Sequence, residues 1–196
     1  MDADWSVACG ADDPLVVIPW RNISGTVTYI DLRAFPAGIK DIPEAVQYPT
    51  LAVALQRWNQ SDSPVFTAKC DVWMYPADLF DAEDLPGFAF AQGSYVDIIQ
   101  RRSNLFEDFS AAEEQLRRWT QTARSFDLPD GRCEWSLRRA WIASAEEVPA
   151  TSTDTHYHKG FATTLYVWGY GSSPQAASSA WTQALESLME PMLCLP

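Results

Sequence analysis

Alternating strand-like and helix-like segments predict an α+β fold: a two-layer sandwich with a mainly antiparallel sheet and about three helices on one face. Three observations carry this expectation. The stretches Tyr29-Ile30-Asp31, Tyr95-Val96-Asp97 and Tyr166-Val167-Trp168 resemble copies of one strand, each a few residues after a glycine at Gly25, Gly93 or Gly160. Each is followed by a helix-like segment that carries a tryptophan, Trp58, Trp119 or Trp181. Residues 65–75 alternate apolar and polar with the period of a half-buried strand. The recurring unit reads as an internal repeat over about 23–76, 91–142 and 158–190, inside a single α+β domain spanning 1–196. A ferredoxin-like β-α-β-β-α-β core over roughly 23–142, extended by the last strand and helix, is the architecture these units predict.

Residues 14–20 form an apolar run bounded by prolines and read as a short buried strand, with 25–33 as the first repeat strand. Three prolines and a glycine make 34–49 a loop. Pro49 suits the first turn of a helix that buries Leu51, Ala54, Leu55 and Trp58, and Asn59 with the polar run after it marks the end. In the strand that follows, Phe66, Ala68, Cys70, Val72 and Met74 share one face, while Thr67, Lys69, Asp71, Trp73 and Tyr75 share the other. An acidic loop, Asp78 to Asp84, leads to a second strand at about 93–102.

Apolar positions from Leu105 to Phe126 then step by four and three, and Ser110 with Glu113 has the form of a capping box. Asp130-Gly131 turns into a strand whose core face holds Cys133, Trp135 and Leu137; Arg139, on the same face, marks where that strand leaves the core. Residues 143–155 form a polar loop and 158–170 the third repeat strand. Ser173 caps a helix with Pro174 at its first position and Ala177, Trp181, Ala184, Leu185 and Leu188 in its stripe. The 14–20 strand is available to close this third unit.

Composition bounds the function. With 47% hydrophobic and 20% charged residues in 196, the chain has a globular balance and enough length for a sizeable core. A net charge of -12 argues against nucleic-acid or anionic-membrane binding, both of which need Lys and Arg; solubility is its plainest reading, and a basic protein partner or a cationic ligand is its natural complement. No segment has the character of a signal peptide or a membrane span, which implies a cytoplasmic protein. Cys9, Cys70, Cys133 and Cys194 are far apart without a C-x-x-C, so reduced thiols are expected; Cys70 and Cys133 read as small apolar packing residues.

Strand parity sorts the rest. If the helices cover the face bearing Ile30, Leu32, Cys70, Val72, Val96, Ile98, Trp135, Leu137, Leu165 and Val167, the opposite face carries Tyr29, Asp31, Trp73, Tyr75, Tyr95, Asp97, Tyr166, Trp168 and Tyr170. So much aromatic surface calls for a cover: the chain's own loops, a second subunit or protein partner, or a small ligand. The expected function is a non-enzymatic interaction domain that acts through self-association or a basic protein partner on this aromatic, acidic face. The rival reading is a small metal-dependent enzyme or small-molecule-binding protein. It rests on His156 and His158, which point the same way on a strand and suit a divalent metal, with Asp154, Asp31 or Asp97 completing the set. No phosphate loop, dinucleotide fingerprint or H-E-x-x-H helix implies any other cofactor.

Overall fold

The computed structural model describes residues 1–22, 24–26, 28–76, 87–143 and 157–193. Its strands are β1 (Asp2–Ala8), β2 (Val16–Ile18), β3 (Val65–Pro76), β4 (Phe90–Gln100), β5 (Gly131–Ala143) and β6 (Tyr157–Gly171). The helices are α1 (Pro43–Gln47), α2 (Pro49–Trp58), α3 (Ser103–Glu107), α4 (Phe109–Arg124) and α5 (Pro174–Met189), with a 3-10 turn at Pro36–Asp41. One sheet of six strands results, in the order β1-β5-β6-β4-β3, with β2 continuing the edge that β1 forms along β5. The central pairs β3/β4, β4/β6 and β5/β6 are antiparallel, and β1 and β2 run parallel to β5.

Helices α2, α4 and α5 cover one face because each carries an apolar stripe at helical spacing. Their tryptophans, Trp58, Trp119 and Trp181, are almost wholly buried against Val96, Ile98, Trp135, Leu137, Leu165 and Val167. Trp181 donates its indole N–H to the Ser94 hydroxyl at 2.9 Å, and Trp119 stacks on Trp135 with centroids 6.5 Å apart. The close approach of α5 to β6 depends on Gly169, where a Cβ would meet the Trp181 backbone nitrogen at 1.9 Å. Ser173 caps α5 as its sequence indicates, accepting from the Ala176 N–H. In α4 the cap is Asp108, whose carboxylate accepts from the Ser110 and Ala111 amides, and Glu113 pairs with Arg117 instead of closing a box.

The chain order departs from the expected unit. Strand-strand-helix occurs twice, as β3-β4-α4 and β5-β6-α5, and β6 lies between β4 and β5. The described residues of 25–33 add no strand; Thr28 makes one isolated bridge to Arg21. Asp31 explains part of this, since its carboxylate holds both the Arg33 amide and guanidinium and favours a local turn over a ladder. The outer strand comes from β1, where Ala3 turns inward and is buried. Arg139 follows the last helix-side core residue of β5, Leu137, and donates to the Ala11 carbonyl at 3.2 Å, while Ala140 beside it is still buried on the far side.

A second correction concerns β3. Its register with β4 shifts between Thr67 and Cys70, the signature of a β-bulge. Phe66 and Ala68 therefore join a second apolar cluster on the far side of the sheet, with Ile99, Ala140 and Ala162, while Cys70 and Val72 remain with the helices. That far side also receives Phe106 of α3, which packs against Gly160, so one helix lies on the face expected to be free of helices. No helix among the described residues is long and apolar enough to cross a membrane.

Candidate functional site

The far face of the sheet is divided in two. At one end, Val16, Ile18, Phe106 and the partly buried Tyr29 close over Phe66, Ile99, Ala140 and Ala162. The covering segment is pinned by Trp20, whose indole N–H donates to the Ala68 carbonyl at 2.8 Å. The chain thus supplies its own cover for about half of the surface that parity predicts.

No described segment closes over the other half, and there half-buried aromatic side chains lie against one another across three strands. Register places Trp73 beside Gly93 and Gly93 beside Trp168, and it places Asp71, Tyr95, Tyr166 and Glu134 in one cross-strand row. Ring centroids are 6.2 Å apart for Trp73 and Tyr95, 6.2 Å for Tyr95 and Tyr166, and 5.6 Å for the stacked pair Tyr166 and Trp168. Tyr75 extends the run from Trp73 at 6.3 Å and is 41% exposed. Tyr170 shares the parity but is buried beneath Phe88. Tyr29 and Asp31 lie in the covering segment outside the sheet, and Asp31 is held in a two-point ion pair with Arg33. Burial works to raise the Asp31 pKa, but the hydrogen bonds and charge of Arg33 outweigh it and hold the group below the usual carboxylate range.

Acids border the open half: Asp71 on β3, Glu134 on β5, and Asp2 and Asp4 on β1. Cations are present too. Arg132 lies over the Trp168 ring at 5.8 Å, and Arg138 lies over Tyr166 at 5.9 Å and donates to its hydroxyl. The surface is therefore an aromatic platform with an acidic margin and two arginines folded onto it.

Asp97 sits where the covered and open halves meet. It is 6% exposed, and Thr164 directly across on β6 donates to its carboxylate at 2.6 Å. Burial raises its pKa, opposed by the Thr164 hydrogen bond and the charges of Arg138 and Lys69. Beside it a cleft of about 790 Å³ opens along the edge of β3 and reaches both sides of the sheet. On the far side its walls are Trp20, Lys69, Tyr95, Asp97 and Arg138; on the helix side they are Ile30, Leu32, Ile42, Leu55 and Cys70. Lys69 lies 5.7 Å from the Trp20 ring and 5.8 Å from the Tyr95 ring, bridging roof and floor.

Of the metal candidates, Asp154 and His156 lie outside the described residues. His158 is exposed near the start of β6, opposite Ile142. Asp97 pairs with Thr164, six residues further along that strand, a separation of roughly 20 Å at about 3.3 Å per residue. Asp97 and His158 therefore do not share a site. Among the described residues no three His, Cys, Asp or Glu side chains come together in a way that could hold a metal. Burial pushes the Cys70 and Cys133 thiols up to about 12, with nearby acids adding to it, as befits packing residues.

No protein-family model, curated protein or solved structure matches this chain. Its geometry alone speaks for its function. What residue patterns did not reveal is the cleft and Trp20. The only signal for the latter was a tryptophan outside the three helices, between Pro19 and Arg21 at the end of an apolar run.

Proposed function

We propose that the chain is a cytoplasmic interaction domain that binds a basic protein partner on the open half of its sheet. The observation that carries this reading is the run Tyr75, Trp73, Tyr95, Tyr166, Trp168, in which neighbouring rings lie 5.6 to 6.3 Å apart and the margin is acidic. Interface cores are enriched in Tyr, Trp and Arg, and rigid aromatic side chains lose little entropy when covered. A chain of net charge -12 repels its own copies at long range and attracts a basic surface, which favours a partner of opposite charge over self-association. The order β3-β4-β6-β5, with helices after β4 and β6, supports a ferredoxin-like core entered at a different strand, and the doubled unit supports an internal repeat.

Affinity capture from the source cells, comparing the native chain with a Trp73→Ser/Trp168→Ser double variant, tests the proposal. A basic protein retained by the first and lost by the second, in a salt-dependent manner, is the expected result. Equal retention by both, or a dimer in light scattering that the double variant dissolves, would contradict it. The rival metal reading has no supporting observation among the described residues beyond the exposed His158.

A further inference from the structure

We propose that the cleft beside Asp97 binds a small zwitterion of the α-amino acid type, with its ammonium toward Asp97, its carboxylate toward Lys69 and Arg138, and an apolar side chain in the helix-side lobe. The inference goes beyond the partner-binding reading above and needs no partner protein.

The bulge in β3 places the charges. Thr67 pairs with Ile98 and Cys70 with Val96, so Ala68 and Lys69 both stand opposite Asp97. Bulges re-aim side chains and are over-represented next to active sites. This one brings Lys69 to the far side of the sheet, where its ammonium lies 5.7 Å from the Trp20 ring and 5.8 Å from the Tyr95 ring. The Trp20 N–H bond to the Ala68 carbonyl fixes the roof over the same point. Arg138 reaches in from β5, positioned by the hydrogen bond it donates to the Tyr166 hydroxyl.

These charges are not neutralised within the cleft. Elsewhere Arg33, Arg57, Arg117, Arg118, Arg124 and Arg132 each meet a carboxylate. Arg21, Lys69 and Arg138 line the cleft and form no ion pair among the described residues, in a chain of 26 acids and 14 bases. Asp97 is in the converse position: it is buried, it accepts from Thr164 alone among the described residues, and no cation contacts it. Burial accordingly outweighs the charges of Arg138 and Lys69 and raises its pKa. Desolvated charge is costly until it is paired, so both signs call for a complement. A plain cation would satisfy Asp97 and be repelled by Lys69 and Arg138; a plain anion would meet the reverse. A ligand that carries both signs answers both.

The rest of the lining suits the body of such a ligand. Ile30, Leu32, Ile42 and Leu55 form an apolar lobe on the helix side. The volume of about 790 Å³ lies within the roughly 300–1,000 Å³ typical of small-molecule clefts.

The test titrates the isotope-labelled full chain with leucine and phenylalanine, then with 4-methylpentanoate and leucinamide, each of which keeps the leucine side chain and one of its two charges. At least one amino acid should shift the amide resonances of Ala68, Lys69 and Asp97 with a Kd of ~1 mM or below. Both one-charge analogues should bind at least ~10-fold more weakly than leucine, the loss expected for a charge-assisted hydrogen bond. Asp97→Asn should erase the preference for leucine over 4-methylpentanoate, and Lys69→Met should reduce its preference over leucinamide, with unchanged circular dichroism spectra. Equal binding of leucine and 4-methylpentanoate would show that Asp97 takes no part, and equal binding of leucinamide would show the same of the cations; either overturns the proposal. So does the lack of any shift at these amides with both amino acids at ~10 mM. If Asp97→Asn fails to fold, the analogues on the native chain decide the matter.

Discussion

The indole of Trp73 lies across Gly93, in the space where a side chain on β4 would stand: a Cβ on Gly93 would come within 2.5 Å of the Trp73 Nε1. The absence of a side chain at this one position, between Trp73 and Trp168 in the cross-strand row, lets Trp73 reach Tyr95.

Gly93→Val therefore forces Trp73 off the platform. We expect a stability loss of about 1–3 kcal/mol, typical of overpacking, and a larger proportional loss of partner capture. Urea denaturation followed by tryptophan fluorescence, run beside the capture assay, checks both; unchanged capture would mean that Trp73 is not part of the contact.

The buried indoles separate by their partners. Trp181 donates to Ser94, whereas the Trp135 N–H is buried without a partner among the described residues. Trp181→Phe leaves the Ser94 hydroxyl orphaned, so it should cost about 1–2 kcal/mol more than Trp135→Phe, which loses no hydrogen bond. Denaturant midpoints of the two variants measure the difference, and equal losses would contradict the assignment.

Asp97 makes a pH prediction with a definite sign. Its folded-state pKa lies above the ordinary carboxylate value, because burial outweighs Thr164, Arg138 and Lys69. The folded state therefore holds this proton more tightly than the unfolded chain, and stability falls as pH rises from the ordinary range through the raised value. Asp97→Asn keeps the acceptor for Thr164 without the charge, so its stability relative to the native chain should improve between pH 4 and pH 7. Chemical denaturation of both proteins at the two pH values checks this; a constant difference would show that Asp97 is not ionising against its surroundings.

Cys70 and Cys133, both pushed up to about 12, should resist thiol reagents at pH 8. Labelling of the peptides that contain them, followed by mass spectrometry, should run at least ~10-fold slower in the folded chain than in denaturant, as thiolate-controlled chemistry requires. Fast labelling of Cys70 would indicate that the β3 edge opens.

Much of this arrangement is legible in the residues. The helical stripes around Trp58, Trp119 and Trp181, and the parity that sets Val96 and Leu165 against Tyr95 and Tyr166, follow from periods of 3.6 and 2 and are local properties. What escaped is non-local or breaks the period. Asp2–Ala8 interleaves Ala3, Trp5 and Val7 with acids and a serine, too little apolar character to stand out, and its pairing with β5 is what reveals it as a strand. The 29–31 copy of the strand motif makes no ladder, in part because Asp31 binds Arg33 in a local turn. The bulge at Thr67 to Cys70 moves Phe66 and Ala68 across the sheet, a shift that a strict alternation cannot announce. Half of the predicted binding face is consequently covered by the chain itself, and the cleft beside Asp97 arises from segments far apart in sequence.

The most direct test of the central claim is hydroxyl-radical footprinting of the chain alone and bound to its captured partner, read at individual aromatic side chains. Protection concentrated on Trp73, Tyr75, Tyr95, Tyr166 and Trp168 is the result this account predicts. Protection on the outer surfaces of α4 and α5, with the platform still oxidised at its free rate, would contradict it.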